Sequence, residues 1–482
     1  MSLFERTAPW FRRAAYLGRN PLTIAGAILT TSSALTLIGF WLFTLAVGGT
    51  LHPYVGVIFF LILPGIFVIG LLLMPAGVWL RRIELVKAGV LPAIYPRVDL
   101  SVPEVRTVLG WVGGLTAANV IIFSIGSYRG VQYMDSPKFC GQTCHIVMQP
   151  EFTAYQNSPH QRVECVQCHI GPGAPWFVRS KLSGIRQVYA VTFHTYDRPI
   201  PVPVENLRPA RETCEQCHWP QRFTGNRLQV IRKFTDDEKN TELTTVVLLK
   251  IGGHTWNGEV GIHGRHLDPN RPIEYVSLDR QRQNMAQVSF VDDTGKRVAF
   301  TQTEPKPTEE QLAAGEHRTM DCIDCHNRPT HTFQLPERAV DEAMAQGRIS
   351  PELPFIKKQA VAVLKVKYAD REAAQREIAA TLDEFYRKSY PDLYRDKHAL
   401  LETSIGGVQA VYLRNVFPAM NVDWGTYPNN LGHTDFPGCF RCHDGSHTSA
   451  DGRTIPNDCD TCHTMLAMEE QNPKVLKDLG IQ

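Results

Sequence analysis

Residues 140–169 read CGQTCHIVMQPEFTAYQNSPHQRVECVQCH. The stretch opens and closes on a cysteine pair followed directly by histidine. Four more such groups lie further along: CEQCH (214–218), CIDCH (322–326), CFRCH (439–443) and CDTCH (459–463). Together they use all 12 cysteines of the 482-residue chain. Cys-x-x-Cys-His is the attachment signature of c-type haem. The two thiols add to the haem vinyl groups, and the adjacent histidine ligates the iron from one face. Zinc sites also use CxxC pairs, but they do not require His after every second Cys. Disulfides suit an even cysteine count, yet a bridge across CxxC is strained and reactive rather than a framework. A multihaem c-type cytochrome is therefore expected.

The attachment residues are Cys140, Cys144, Cys165, Cys168, Cys214, Cys217, Cys322, Cys325, Cys439, Cys442, Cys459 and Cys462. The proximal ligands are His145, His169, His218, His326, His443 and His463. The count is six covalently bound haem c groups. The first motif departs from the rest, with three residues between Cys140 and Cys144. The extra residue can bulge out and leave both sulfurs within reach. A single thioether, or a motif without haem, is the alternative.

Upstream, three apolar runs are long enough for a bilayer, which needs about 20 residues. They are Leu22–Val47, Tyr54–Leu80 and Val108–Tyr128. Arg6, Arg12, Arg13 and Arg19 precede the first. Arg81, Arg82, Lys87, Arg97 and Arg106 lie between the second and third, whereas Gly48–Pro53 has no Lys or Arg. The positive-inside rule then places the N-terminus and the second loop in the cytoplasm. The haem region falls outside, on the side where c-type haem is attached. A bacterial inner-membrane protein with three passes and a periplasmic haem domain is expected. The first run is too long for a cleaved signal and has no A-x-A site. The net charge of +2 gives no reason to expect a nucleic-acid partner.

The expected fold is mostly α and haem-rich, with three transmembrane helices and a periplasmic multihaem domain holding a small β insertion. Five parts follow: an anchor over 1–128, a trihaem region over 129–225, a β-rich insertion over 226–315, the fourth haem with a helical segment over 316–415, and a C-terminal dihaem unit over 416–482. VVLLKI (246–251), IEYVSL (273–278), AQVSFV (286–291) and RVAFTQ (297–302) read as strands. The last two flank a turn at 292–295. Residues 373–390 carry apolar positions at helical spacing. Around the dense motifs of 129–225, the haems themselves must serve as core.

A haem that only carries electrons has both axial positions filled. Of 17 histidines, six belong to motifs. His160, His194, His331, His433 and His447 lie near motifs in sequence and are candidate distal ligands. Met148, just past His145, is a sixth. His254, His263, His266 and His317 are reserves. The supply is enough to cap every iron, which favours carriage over catalysis at an open haem.

The membrane anchor, the Met beyond the first motif, SPHQRVECVQCH (158–169) and the basic helical segment before Gln187-Val188-Tyr189 resemble the NapC/NirT family. Its members are membrane-anchored quinol dehydrogenases. The resemblance covers residues 110–220. Three helices, six motifs and CxxxCH liken the chain to the enlarged polytopic members rather than to the usual one-helix, four-haem form. It implies oxidation of menaquinol or ubiquinol, with electrons leaving to a periplasmic cytochrome or reductase. Asp135, Lys138 and Arg179 are candidates to handle the quinol protons. Lys181 joins them because it matches a Lys of the family's basic segment. An electron-relay subunit that never meets quinol, or a terminal reductase, are the other readings.

Overall fold

The structure is a computed structural model. It describes residues 12–14, 16–47, 63–93, 95, 103–143, 145–171, 174–204, 207–253, 260–292 and 294–481. The chain divides into two compact units, 1–143 and 144–482.

In the first unit, α1 (Pro21–Val47) packs against α2 (Leu63–Lys87). Glycines set the closeness of this crossing. A Cβ on Gly26 would meet the Gly70 carbonyl at 2.7 Å, and one on Gly70 would meet Thr30 Oγ1 at 2.5 Å. Small residues at such positions let two backbones approach within an apolar medium. Thr23 Oγ1 donates to the Met74 carbonyl at 3.2 Å, beside Pro75 inside α2. The outward faces are apolar: Ile28, Leu35, Leu72 and Trp79 are all exposed. Among the described residues, Pro21–Leu42 and Leu63–Lys87 have the length and hydropathy to cross a membrane. Part of the second expected span, 54–62, lies outside the described residues. The third expected span falls inside α3 (Pro103–Asp135), a 33-residue helix. At 1.5 Å per residue α3 is about 50 Å long.

The second unit begins with α4 (His145–Gln156) and α5 (Ala174–Thr192). Further on, α6 (Pro336–Ala345), α7 (Ile356–Leu364), α8 (Arg371–Ser389), α9 (Pro391–Asp396) and α10 (His398–Asn415) form a helical body. Ala374, Ile378, Leu382 and Tyr386 recur every fourth residue of α8 and are fully buried. They meet Val340, Leu353, Leu401 and Val408 in one apolar core. Burying each large side chain contributes about 1.5–3 kcal/mol. Asp370 caps α8 by accepting from the Ala373 amide at 2.6 Å.

The strands form two antiparallel sheets. One has the order β1-β2-β8, from Arg227–Phe234, Glu242–Leu249 and His463–Glu470. The other runs β6-β3-β4-β5-β7. Its strands are Glu274–Ser277 (β3), Met285–Val291 (β4), Arg297–Gln302 (β5), Glu316–Thr319 (β6) and His447–Ser449 (β7). Across the two sheets β2, β3, β4 and β5 match the stretches read as strands in the sequence. The sheets are not confined to one insertion, however. The C-terminal segment lends β7 to one sheet and β8 to the other, pairing His463 with Leu249 and Ser449 with Phe300.

Candidate haem centres

The second to sixth motifs each occupy a single tight turn. Cys165–His169, Cys322–Cys325 and Cys459–Cys462 are helical turns, and Gly438–Arg441 is a 3-10 turn. Residues three apart on a turn share a face, so both thiols point the same way. The backbone repeats one closing bond: the His218, His326 and His443 amides donate to the carbonyls of Cys214, Cys322 and Cys439 at 2.8, 2.8 and 3.1 Å. Gly438 enters the fifth motif with φ +50°, and a Cβ there would stand 1.7 Å from the Gly432 carbonyl. Only glycine fits that approach. Cys140 lies in a π-helical turn, Phe139–Thr143, whose wider loop suits a motif with an added residue. Cys144 and the His145 side chain lie outside the described residues.

The described cysteines are free thiols, so no disulfide framework forms. No three His, Cys, Asp or Glu among the described residues gather to hold a bare metal ion. The histidines instead assemble in twos. The ring centroids of His169 and His331 are 6.2 Å apart, and those of His218 and His160 are 6.0 Å apart. His326 faces His263 at 6.3 Å, His443 faces His266 at 5.9 Å, and His463 faces His433 at 6.1 Å. Two metal–imidazole bonds of about 2 Å, plus a ring radius on either side, require about 6 Å. The spacing fits an iron held between two imidazoles.

The other ring nitrogen is anchored in several of these residues. Nδ1 of His160, His263, His266, His331 and His443 meets the carbonyls of Pro329, Ile251, Ile262, Glu151 and Pro456 at 2.5–3.3 Å. Such a bond fixes the tautomer and leaves Nε2 for a metal. Burial pushes His169, His266, His326 and His331 below the usual imidazole range, toward the neutral form that ligates. Tyr155 Oη donates to the Gln161 carbonyl at 2.7 Å and Ser158 Oγ accepts from the His160 amide at 3.2 Å, which pins the loop bearing His160.

Three expected distal residues, His160, His331 and His433, thus face motif histidines, though not always their sequence neighbours. His433 precedes the fifth motif but faces the sixth. His447 does not face one. It is buried, its Nε2 lies 2.7 Å from the Met285 carbonyl and its Nδ1 lies 3.2 Å from Asp444, so both nitrogens are engaged in bracing β7. His194 is exposed, with its ring 6.4 Å from Tyr196. The reserves His263 and His266 face motif histidines instead, from one helical turn, Ile262–His266. His317 Nε2 is bonded to the Leu312 carbonyl, and His254 lies outside the described residues. Met148 is half-buried on α4.

Sulfur positions of successive motifs neighbour one another. Burial raises the Cys168 thiol, and the nearby thiols of Cys214, Cys165 and Cys217 add to it. The turns that end on Cys214 and begin on Cys322 pack against each other. Burial pushes Cys325 up to about 11, with Cys439 contributing, and Cys439 also acts on Cys462. The second to sixth motifs therefore follow one another in space as in sequence.

One cluster was not anticipated. Asp324, inside CIDCH, is buried and accepts from Tyr275 Oη at 2.5 Å, with Arg282 and Arg318 at 3.5 and 3.6 Å. Arg441, inside CFRCH, donates to the Asp324 carbonyl at 2.7 Å. These bonds tie the fourth motif to the fifth. The variable positions inside a CxxCH motif carry no pattern that announces such a role. Asp135 is half-buried at the end of α3 and Lys138 is exposed. Arg179 is exposed on α5, and Lys181 lies on that helix with its side chain outside the described residues.

Apolar helices ahead of an array of motif turns and facing imidazoles define a membrane-anchored multihaem c-type cytochrome. Residues 102–200 match the NapC/NirT cytochrome c family, N-terminal region. The chain is 42% identical over 475 residues to the cytochrome c-type protein ImcH of Geobacter sulfurreducens, covering 97% of this chain and 92% of that one. It is 29% identical over 106 residues to the cytochrome c-type protein NrfH of Wolinella succinogenes, covering 21% of this chain and 59% of that one. No solved structure matches it. The chain belongs to the NapC/NirT cytochrome c family and serves respiratory electron transport.

Proposed function

We propose that this protein oxidises a quinol, menaquinol or ubiquinol, at the outer face of a bacterial inner membrane and delivers the electrons to a periplasmic cytochrome or reductase. The observation that carries the reading is the set of five histidine pairs at metal-ligand spacing, on motifs that follow one another in space. Each haem, when bound, supplies a one-electron carrier. The chain's own residues decide where those carriers sit. Two thioethers and a proximal histidine would fix each one, and His331, His160, His263, His266 and His433 would hold the second to sixth in turn from the other side. With an imidazole on both faces these five centres would leave no coordination site for a substrate, which favours conduction over terminal reduction. Cys140, Cys144 and His145 hold the first, with Met148 as its proposed second ligand.

The three spans of the sequence reading are retained, with α3 as the third crossing and the N-terminus cytoplasmic. This topology starts the first motif just outside the bilayer. Quinol oxidation releases two electrons and two protons. Asp135 and Lys138, close in sequence to Cys140, and Lys181, by the family resemblance, are the groups proposed to take those protons or orient the quinol headgroup.

The test is direct reduction. Purified holoprotein in nanodiscs mixed with a menaquinol analogue is expected to develop the sharp visible bands of reduced low-spin haem. Asp135→Asn and Lys181→Gln should slow that reduction at least tenfold and leave the oxidised spectrum unchanged. Full reduction by dithionite with none by quinol would make the protein a relay subunit instead.

A further inference from the structure

α5 carries a row of large apolar side chains that stand exposed among the described residues. Leu182, Ile185, Val188, Tyr189 and Phe193 are 52–69% exposed. Leu182, Ile185 and Tyr189 recur at steps of three and four, so they share one face of the helix, and Phe193 extends it past the last turn. Tyr189 and Phe193 lie ring to ring, with centroids 4.6 Å apart. Other described side chains of the helix have partners. Val191 packs toward the core around Val147, Ala154 and Phe333. Ser183 and Gln187 hydrogen-bond each other on an exposed face.

Apolar residues scattered singly over a surface need no explanation, but a contiguous row does. Its flanks identify the occupant. Arg179 and Arg186 stand exposed beside the row. The Arg179 guanidinium lies 5.0 Å from the ring centre of Trp176, at the start of the helix. An apolar face with basic shoulders and an aromatic–cationic pair at one end is the chemistry of a helix lying in a membrane interface. Long basic side chains there keep their stems among acyl chains and their charge among anionic headgroups. A protein partner could also cover apolar side chains, but a partner must be recruited. The bilayer needs no recruiting, because the same chain carries α1 and α2, and tethering would turn this contact into an intramolecular one.

We propose that α5 is a second, monotopic membrane contact, with the face of Leu182, Ile185, Tyr189 and Phe193 immersed in an anionic lipid surface. This rests on the membrane-anchored reading of the chain. It would hold the second and third haem motifs, which flank α5 in sequence, close to the headgroup layer.

Full-length holoprotein in nanodiscs, containing a phospholipid that generates a carbene on illumination, provides the test. Label is expected on the peptide spanning 182–193 as well as on α1 and α2. Replacing anionic phosphatidylglycerol by neutral phosphatidylcholine should reduce labelling of α5 several-fold more than that of α1 and α2. Ile185→Glu, on an exposed site that does not disturb folding, should abolish the α5 label alone. Labelled α1 and α2 with an unlabelled α5 would overturn the proposal and leave the anchor standing. Cross-linking of α5 between two copies would overturn it in favour of self-association. Absence of label from α1 and α2 as well would sink the anchor and this contact together.

Discussion

Glu151 and Arg328 act on His331 in opposite senses. Arg328 Nη2 reaches both carboxylate oxygens at 3.2 Å, and His331 Nδ1 lies 3.2 Å from one of them and 2.9 Å from the Glu151 carbonyl. Arg328 is itself buried against Tyr427 and Phe333. A carboxylate on Nδ1 makes the imidazole a stronger donor through Nε2 and favours the oxidised metal. If His331 caps the second haem, Glu151→Gln should raise one midpoint in a redox titration by on the order of 60 mV, the value of a tenfold change for one electron. Arg328→Gln should leave the carboxylate to His331 and lower the same midpoint. Shifts of the same sign in both variants would mean loss of packing rather than loss of charge. The distal residues yield a second prediction. His266→Ala should convert one centre to high spin by electron paramagnetic resonance, whereas His447→Ala should leave all centres low-spin and weaken only the sheet. His160 and His331 were legible in the sequence because they lie beside motifs. His447 lies as near to one but is spent on the Met285 carbonyl, while His263 and His266 are far from the motifs they face. Proximity along the chain cannot see pairings that a sheet and a loop bring together.

At the scale of elements, the pattern of α8 told its fate, since a four-residue apolar repeat needs one buried face and obtained it. β1 was missed because RLQVIRKF alternates charge with aliphatic residues too weakly to stand out. β8 was missed because it follows a haem motif directly, beginning at His463 itself. What joins β1 to the helical body is a buried ion pair. Asp341 of α6 accepts from the Phe234 amide at 2.9 Å and pairs with Lys357 of α7, and both are almost wholly buried. Burial pushes the Asp341 carboxyl above its ordinary range, and Lys357 works against that rise. Removing one member of such a pair leaves a charge without a partner, at a cost of about 3–5 kcal/mol. Lys357→Met should therefore lower the thermal midpoint markedly, followed by circular dichroism. Adding Asp341→Asn to it should recover much of the loss. If the double variant is as unstable as the single, packing at Lys357 rather than charge holds the joint.

For the molecule as a whole, the distribution of buried residues is uneven in a way that composition conceals. From residue 159 to 233 no described residue is buried, although this stretch carries the second and third motifs. Residues 336–415, with no motif, hold most of the large fully buried side chains. The dense motif region was expected to use haem as its core, and the side chains there leave that role open. A segment that buries little of its own apolar surface cannot offset its conformational entropy. The facing histidines compound the dependence, since each bound iron would clamp distant segments: 169 to 331, 218 to 160, 326 to 263, 443 to 266 and 463 to 433. Haem attachment should then order the two parts of the second unit unequally. Protein made in cells without the haem-attachment machinery is expected to lose residues 159–225 and 430–470 to brief trypsin treatment. The helical body over 336–415 should survive as a fragment, because its core needs no cofactor. Holoprotein should resist cleavage across both regions. Equal resistance of the two forms would mean that the motif region folds on protein contacts alone, and would remove haem from its place as the core.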